Sequence, residues 1–102
     1  MAQEVQEFFS TLESRVDPSK TAGMNNSYLF DIQDAGMWLV TIEDGVLSVR
    51  EGAGDADATI SATEENFRRI LSGEQNATAA YMTGKLKIKG DMGAAMKLQK
   101  LF

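Results

Sequence analysis

The chain has no cysteine and no histidine. The first absence excludes disulfides, thiolate nucleophiles and cysteine-rich zinc sites. The second removes histidine-based triads and most of the remaining zinc-ligand sets. The redox compartment is left open, but a disulfide-stapled secreted fold is excluded. Proline occurs once, at Pro18. No apolar run approaches the roughly 20 residues of a membrane-spanning helix. The opening MAQEVQEFF carries Glu4 and Glu7 and no basic run ahead of an apolar segment, so it does not read as a signal peptide. The closing Lys100, Leu101 and Phe102 are not a Ser-Lys-Leu type of peroxisomal address. A cytoplasmic location is the resulting expectation.

What is present suits an ordinary soluble core: 102 residues, 43% of them hydrophobic, point to one domain spanning 1–102. The formal charge of -5 is unevenly spread. Residues 1–83 hold five basic and fourteen acidic side chains, whereas residues 84–102 hold five lysines and only Asp91. An acidic chain of this kind argues against nucleic-acid binding. The local lysine excess reads either as a solvated strand face or as a surface for an anionic membrane or ligand head, including transient membrane contact.

Val5, Phe8, Phe9, Leu12 and Val16 share one face of a helix of about four turns, which Asp17 and Pro18 stop. A polar connector follows, with Met24 as a plug at the core edge. Tyr28, Phe30 and Ile32 alternate along a first strand, Trp38, Val40 and Ile42 along a second, and Leu47 and Val49 along a third. Asp44-Gly45 supplies a tight hairpin turn between the last two. Leu29, Met37 and Leu39 leave the outer face of this meander partly apolar, which calls for cover or a partner. Gly52 to Asp57 is a loop with neither phosphate-loop nor calcium-loop spacing. Ala58 to Ser61 is a fourth strand. Thr63 starts a helix whose core face is Phe67, Ile70 and Leu71, and Gly73 ends it.

The last third reads as a short helix capped by Asn76, a strand over Lys85–Lys89 and a closing helix capped by Asp91. In that last helix Gly93, Lys97 and Lys100 form a narrow polar stripe. Its remaining circumference is apolar, so the helix is expected to bury two sides. Grouped strands and segregated helices indicate an α+β domain with a mainly antiparallel sheet and helices on one side.

Catalytic groups are scarce. Glu64-Glu65 and Asp55-Asp57 lie in polar contexts that would not split their acidities. Ser10, Ser48 and Ser61 lack an activating histidine, and Thr83 near Lys85 is more naturally structural. The chain is therefore expected not to be an enzyme, and neither a metal nor a cofactor is expected. Met82, Met92 and Met96 cluster with Tyr81, Leu98, Leu101 and Phe102. Such flexible, polarisable side chains suit a solid core, a dimer interface or a site adaptable to apolar ligands.

The run GKLKIKGDMGAAMKLQKL, residues 84–101, resembles the closing segment of sterol carrier protein 2 domains, which are non-specific lipid-transfer proteins. The resemblance is dense over about twenty-five residues and collinear over the rest of the chain. It implies five strands with helices over one face, and a lipid tunnel between the sheet and the final helices. By that likeness Tyr81 and Met82 stand beside the tunnel, and Leu86 and Ile88 face it from the last strand. Met92, Met96, Leu98 and Leu101 belong to its closing helix, and Gln99 reaches a ligand's polar end. Phe67, Ile70 and Leu71 are added as walls from periodicity alone, and Trp38 and Ile42 either line the cavity or belong to plain core.

The expected function is non-catalytic binding, and transfer, of one long-chain lipid: a fatty acid, fatty acyl-CoA, phospholipid or sterol. The expected state is a monomer or weak homodimer. The rivals are a dimerisation module, built on Leu29, Met37 and Leu39 or on Leu101 and Phe102, and an accessory domain to a lipid enzyme.

Overall fold

The computed structural model describes residues 2–16 and 18–98. The amphipathic face over Val5–Val16 forms α1 (Ala2–Arg15), and a single turn, α2 (Pro18–Thr21), follows it. Sequence alone reads that second segment as plain connector. Pro18 fits a first helical position, where its missing N–H has no partner to lose. Three strands come next, β1 (Asn26–Gln33), β2 (Gly36–Glu43) and β3 (Val46–Glu51), then β4 (Ala58–Thr63). The chain closes through α3 (Glu64–Ser72), α4 (Ala77–Met82), β5 (Leu86–Gly90) and α5 (Met92–Leu98).

The five strands form one sheet in the order β3-β2-β1-β4-β5. Three of its ladders are antiparallel, and β1 pairs with β4 in parallel. The expectation of a mainly antiparallel α+β sheet holds, with that one parallel pair as the refinement. Its physical cause is that β3, β1 and β4 run the same way, so residues 52–57 return the chain across two strands.

Alternation gives the sheet two unlike faces. Tyr28, Phe30, Ile32, Trp38, Val40, Ile42, Ala58, Ile60 and Ala62 are buried on the inner face. The register aligns them, with Phe30 opposite both Trp38 and Ile60, and Ile60 opposite Ile88. The helices lie over this face, adding Val5, Phe9, Leu12, Phe67, Ala80, Ala94 and Ala95 to the core.

The outer face carries Leu29 and Leu39, both half-buried, beside Met37, which is 38% exposed. Part of their cover comes from the chain itself. A Cβ at Gly54 would lie 2.9 Å from Leu39 Cδ2 and 3.2 Å from Arg50 Nη2, so the β3–β4 connector crosses over Leu39.

The helix ends follow the capping residues. Thr63 Oγ1 accepts the Asn66 amide at 3.1 Å, and Gly73 closes α3 in the left-handed region. Asn76 Oδ1 accepts the amides of Thr78 and Ala79 at the start of α4. No described helix is long and apolar enough to cross a membrane.

Candidate functional site

The inner layer has two halves of different substance. Under α1 and α3 it is aromatic. Phe9 stacks on Trp38 with centroids 4.6 Å apart and on Phe67 at 5.7 Å, and Phe30 tilts against it at 5.2 Å. Interlocked rings of this kind bury large areas in fixed geometry and resist repacking. Trp38 and Ile42, left open by the sequence, both fall in the buried core.

Under α4 and α5 the layer joins small side chains to the buried ring of Tyr28. Ala58, Ala62, Ala80, Ala94 and Ala95 are buried there, with Leu86 as the large buried side chain of β5. The backbone is led into place by a compact return. The Lys85 amide donates to the Ala80 carbonyl at 2.9 Å and brings β5 under α4. Leu86 then pairs with Ala62 and Ile88 with Ile60. At the far end of β5 the Asp91 amide donates to the Asp57 carbonyl at 2.8 Å. Asp91 Oδ1 accepts the amides of Gly93 and Ala94 and starts α5.

One side chain ties α5 to the sheet from beneath. Tyr28 is fully buried on β1, and its hydroxyl donates to the Ala94 carbonyl at 2.6 Å. Burial first, and then the nearby carboxylates of Asp57 and Asp91, push that hydroxyl up to about 12. The group is therefore a neutral hydrogen-bond donor at ordinary pH.

Twelve residues were expected to meet a ligand, and the structure distributes them unevenly. Phe67 is buried, but as a member of the aromatic block. Leu86 is buried, and Ile70, Leu71 and Ile88 are partly buried against the core. Tyr81 and Met92 are each 42% exposed, Met96 66% and Met82 80%. Leu98 ends α5, and its side chain lies outside the description. Gln99 and Leu101 lie outside the described residues. The expectation that α5 buries two sides rests partly on the side chains of Leu98, Leu101 and Phe102, which lie outside the description. The described part of α5 buries one, through Ala94 and Ala95, because alanines let the helix sit close while Met92 and Met96 project from the other flank.

Residues not singled out from the sequence also matter. Tyr28 was read as a core strand residue, and nothing local to it announces a bond to a segment sixty-six positions away. A cleft of about 380 Å³ lies where the α1–β1 connector meets α5, lined by Ser19, Lys20, Ala22, Gly23, Met24 and Lys97. Met24 forms part of its wall, in keeping with a plug at the core edge. A second cleft, of about 560 Å³, lies between α1 and the β2–β3 edge, lined by Gln6, Glu7, Ser10, Trp38 and Glu51. Among the described residues no cluster of three or more carboxylates is placed to hold a metal ion.

Comparison with known proteins gives these features a family. Hydroxysteroid dehydrogenase-like protein 2 of Xenopus tropicalis is 35% identical over 101 residues, covering 95% of this chain and 24% of that protein. The chain thus spans about a quarter of the length of the curated relatives it matches. Among solved structures, sterol carrier protein domain 2 of Helicoverpa armigera superposes with a TM-score of 0.75 at 27% identity. That match covers 93% of this chain and 82% of the other. The stereoselective inverting sec-alkylsulfatase Pisa1 from a Pseudomonas species superposes with a TM-score of 0.79 at 26% identity, over 93% of this chain and 16% of that one. The family model for SCP-2 sterol transfer matches residues 6–102, and the chain belongs to the SCP-2 sterol transfer family.

Proposed function

We propose that this chain binds one long-chain lipid beneath α4 and α5 and passes it on without chemistry of its own. The tail would lie on Leu86, Ile88 and the α3 residues Phe67, Ile70 and Leu71. Tyr81, Met82, Met92, Met96, Leu98 and Leu101 would close around it, with Gln99 at the polar end. The supporting observation is the contrast within the inner layer. The α4–α5 half meets the sheet through alanines, Leu86 and the Tyr28 ring, while its methionines, Met82, Met92 and Met96, are not spent on the interior. An element held this way can lift without unpacking the aromatic half. Methionine is suited to closing over chains of several shapes. The proposed site works in a cytoplasmic setting and takes its selectivity from chain length more than from head group.

Displacement of a fluorescent fatty acid tests this. One equivalent should bind, and fatty acids, acyl-CoAs, phospholipids or sterols should displace it. Affinity should rise by up to about fourfold per added methylene, from roughly 0.8 kcal/mol of transfer free energy each. Absence of saturable binding, or affinity indifferent to chain length, would end the proposal. Native mass spectrometry of the freshly purified protein would identify a co-purified lipid.

A second reading is favoured by the relatives' architecture. Their matching segment is about a quarter of a longer protein named for its likeness to a dehydrogenase. In that reading the domain holds a lipid beside a catalytic unit, as an accessory. Retention of lipid binding together with stimulation of a dehydrogenase-like unit supplied with it would support this version.

A further inference from the structure

We propose that the open edge of β5 takes up an acidic, extended segment of a partner protein as a further strand of the sheet. The sheet has two edges, β3 and β5, and the chain closes the first of them. There the Glu13 carboxylate of α1 accepts the Val49 amide at 2.8 Å, and α1 and α2 both pack against the strand. At β5 the phase of the ladder is fixed by the Asp91 amide, which donates to the Asp57 carbonyl. Lys87 and Lys89 therefore bond inward to β4, while Leu86 and Ile88 turn their N–H and C=O groups outward. Neither outward amide has a hydrogen-bond partner among the described residues. An unpaired edge of this kind is a template for another strand.

The two faces of that edge state what the added strand must carry. Lys87 and Lys89 stand exposed on the outer face, opposite Ser61 and Thr59, and neither forms an ion pair among the described residues. Ile88, on the inner face, is only partly buried, with no strand beyond it. A strand alternating acidic and apolar residues would set its acids beside the two lysines and continue the apolar inner face past Ile88. A second copy of the chain fits poorly, because two β5 edges joined antiparallel would place lysines opposite lysines. Edge lysines thus discourage self-pairing, yet here they leave the backbone uncovered. Residues 1–83 carry fourteen acidic against five basic side chains, so an acidic segment is turned away from the rest of the chain and toward this edge. The claim rests on the edge itself and not on lipid binding.

A fluorescent peptide of about seven residues, alternating glutamate and valine, tests this against the full chain. It should bind saturably, at least about tenfold tighter than a peptide with the same residues in two blocks. Hydrogen exchange at the Leu86 and Ile88 amides should slow on binding, while the Lys87 and Lys89 amides, already in the ladder with β4, change little. Methylating one alternate set of peptide amides should abolish binding and methylating the other should spare it, since only one set faces β5. The double variant Lys87→Glu, Lys89→Glu should weaken binding by about tenfold or more. Lys20→Glu with Arg50→Glu makes an equal change of charge away from this edge and should alter binding little. The amide spectra of both double variants should otherwise match the parent chain, which reports an intact fold whether or not a lipid binds. No binding, equal binding of the block peptide, unchanged exchange at Leu86 and Ile88, or equal losses in the two double variants would overturn the proposal.

Discussion

Tyr28 joins two parts of the molecule that the chain itself joins only at long range. Its ring fills the inner face of β1 and its hydroxyl donates to Ala94 on α5. Tyr28→Phe keeps the ring and leaves the Ala94 carbonyl short of a donor in a buried place. That loss should cost about 1–2 kcal/mol in denaturant unfolding. Hydrogen exchange should quicken selectively at the amides of α5, while β1 and β2 keep their protection. The same hydroxyl makes an alkaline prediction. Its folded value, about 12, is raised from 10.0, so the neutral form is the one the fold favours. The stability it contributes is fully present below pH 10 and is lost as pH rises toward 12. Melts of the parent chain across that window should fall more steeply than those of Tyr28→Phe, and equal slopes would contradict the assignment.

At the scale of elements, the joint between β5 and α5 is set by Gly90. Its φ is +100°, and a Cβ there would meet the Asp57 carbonyl oxygen at 2.4 Å, the same oxygen that accepts the Asp91 amide. Backbone cannot yield as a side chain would. Gly90→Ala should therefore cost about 2–3 kcal/mol and loosen α5, combining an unfavourable dihedral with a clash. Thermal melting and α5 hydrogen exchange check this, and a change of only a few tenths would show that the joint is adaptable. Such elements were legible because their signals are local. Alternation placed Tyr28, Phe30 and Ile32, and then Trp38, Val40 and Ile42, on one buried face. Thr63, Asn76 and Asp91 marked helix starts that the structure shows capped by those residues. What escaped was long-range. The parallel pairing of β1 with β4 depends on where a loop travels, and the seat of α5 on Ala94 and Ala95 depends on what lies beneath it. Alanine gives almost no signal in an apolar pattern. The methionines, which do, fit a solid core, a dimer interface or an adaptable ligand site alike in the sequence, and the structure places Met82 and Met96 at the surface.

For the whole molecule, the open question is the outer face of the sheet, where Leu29, Met37 and Leu39 offered a dimerisation surface. The β3–β4 connector partly closes it. The Gly52 amide donates to the Met37 carbonyl at 2.9 Å, and Gly54 rests on Leu39. Asp57 is then pinned to Ser27, its carboxylate accepting the Ser27 amide at 2.9 Å and its own amide donating to Ser27 Oγ at 3.0 Å. What remains around the leucines is largely polar or charged: Ser48, Ser61, Lys87 and Lys89 are on this face by the strand register. A patch so interrupted is too small for a stable interface, which buries on the order of 800 Å² from each partner. Sedimentation should therefore give the mass of one 11.1 kDa chain at every accessible concentration. Gly54→Leu tests the reason. Its added side chain must displace Leu39 or lift the connector, and either change bares apolar surface on an otherwise polar face. The variant should show a mass that grows with concentration while keeping its fatty-acid binding, since the proposed site lies on the other side of the sheet. Self-association of the parent chain, abolished by a charge at Leu29, would instead make this face an interface and restore the dimerisation reading.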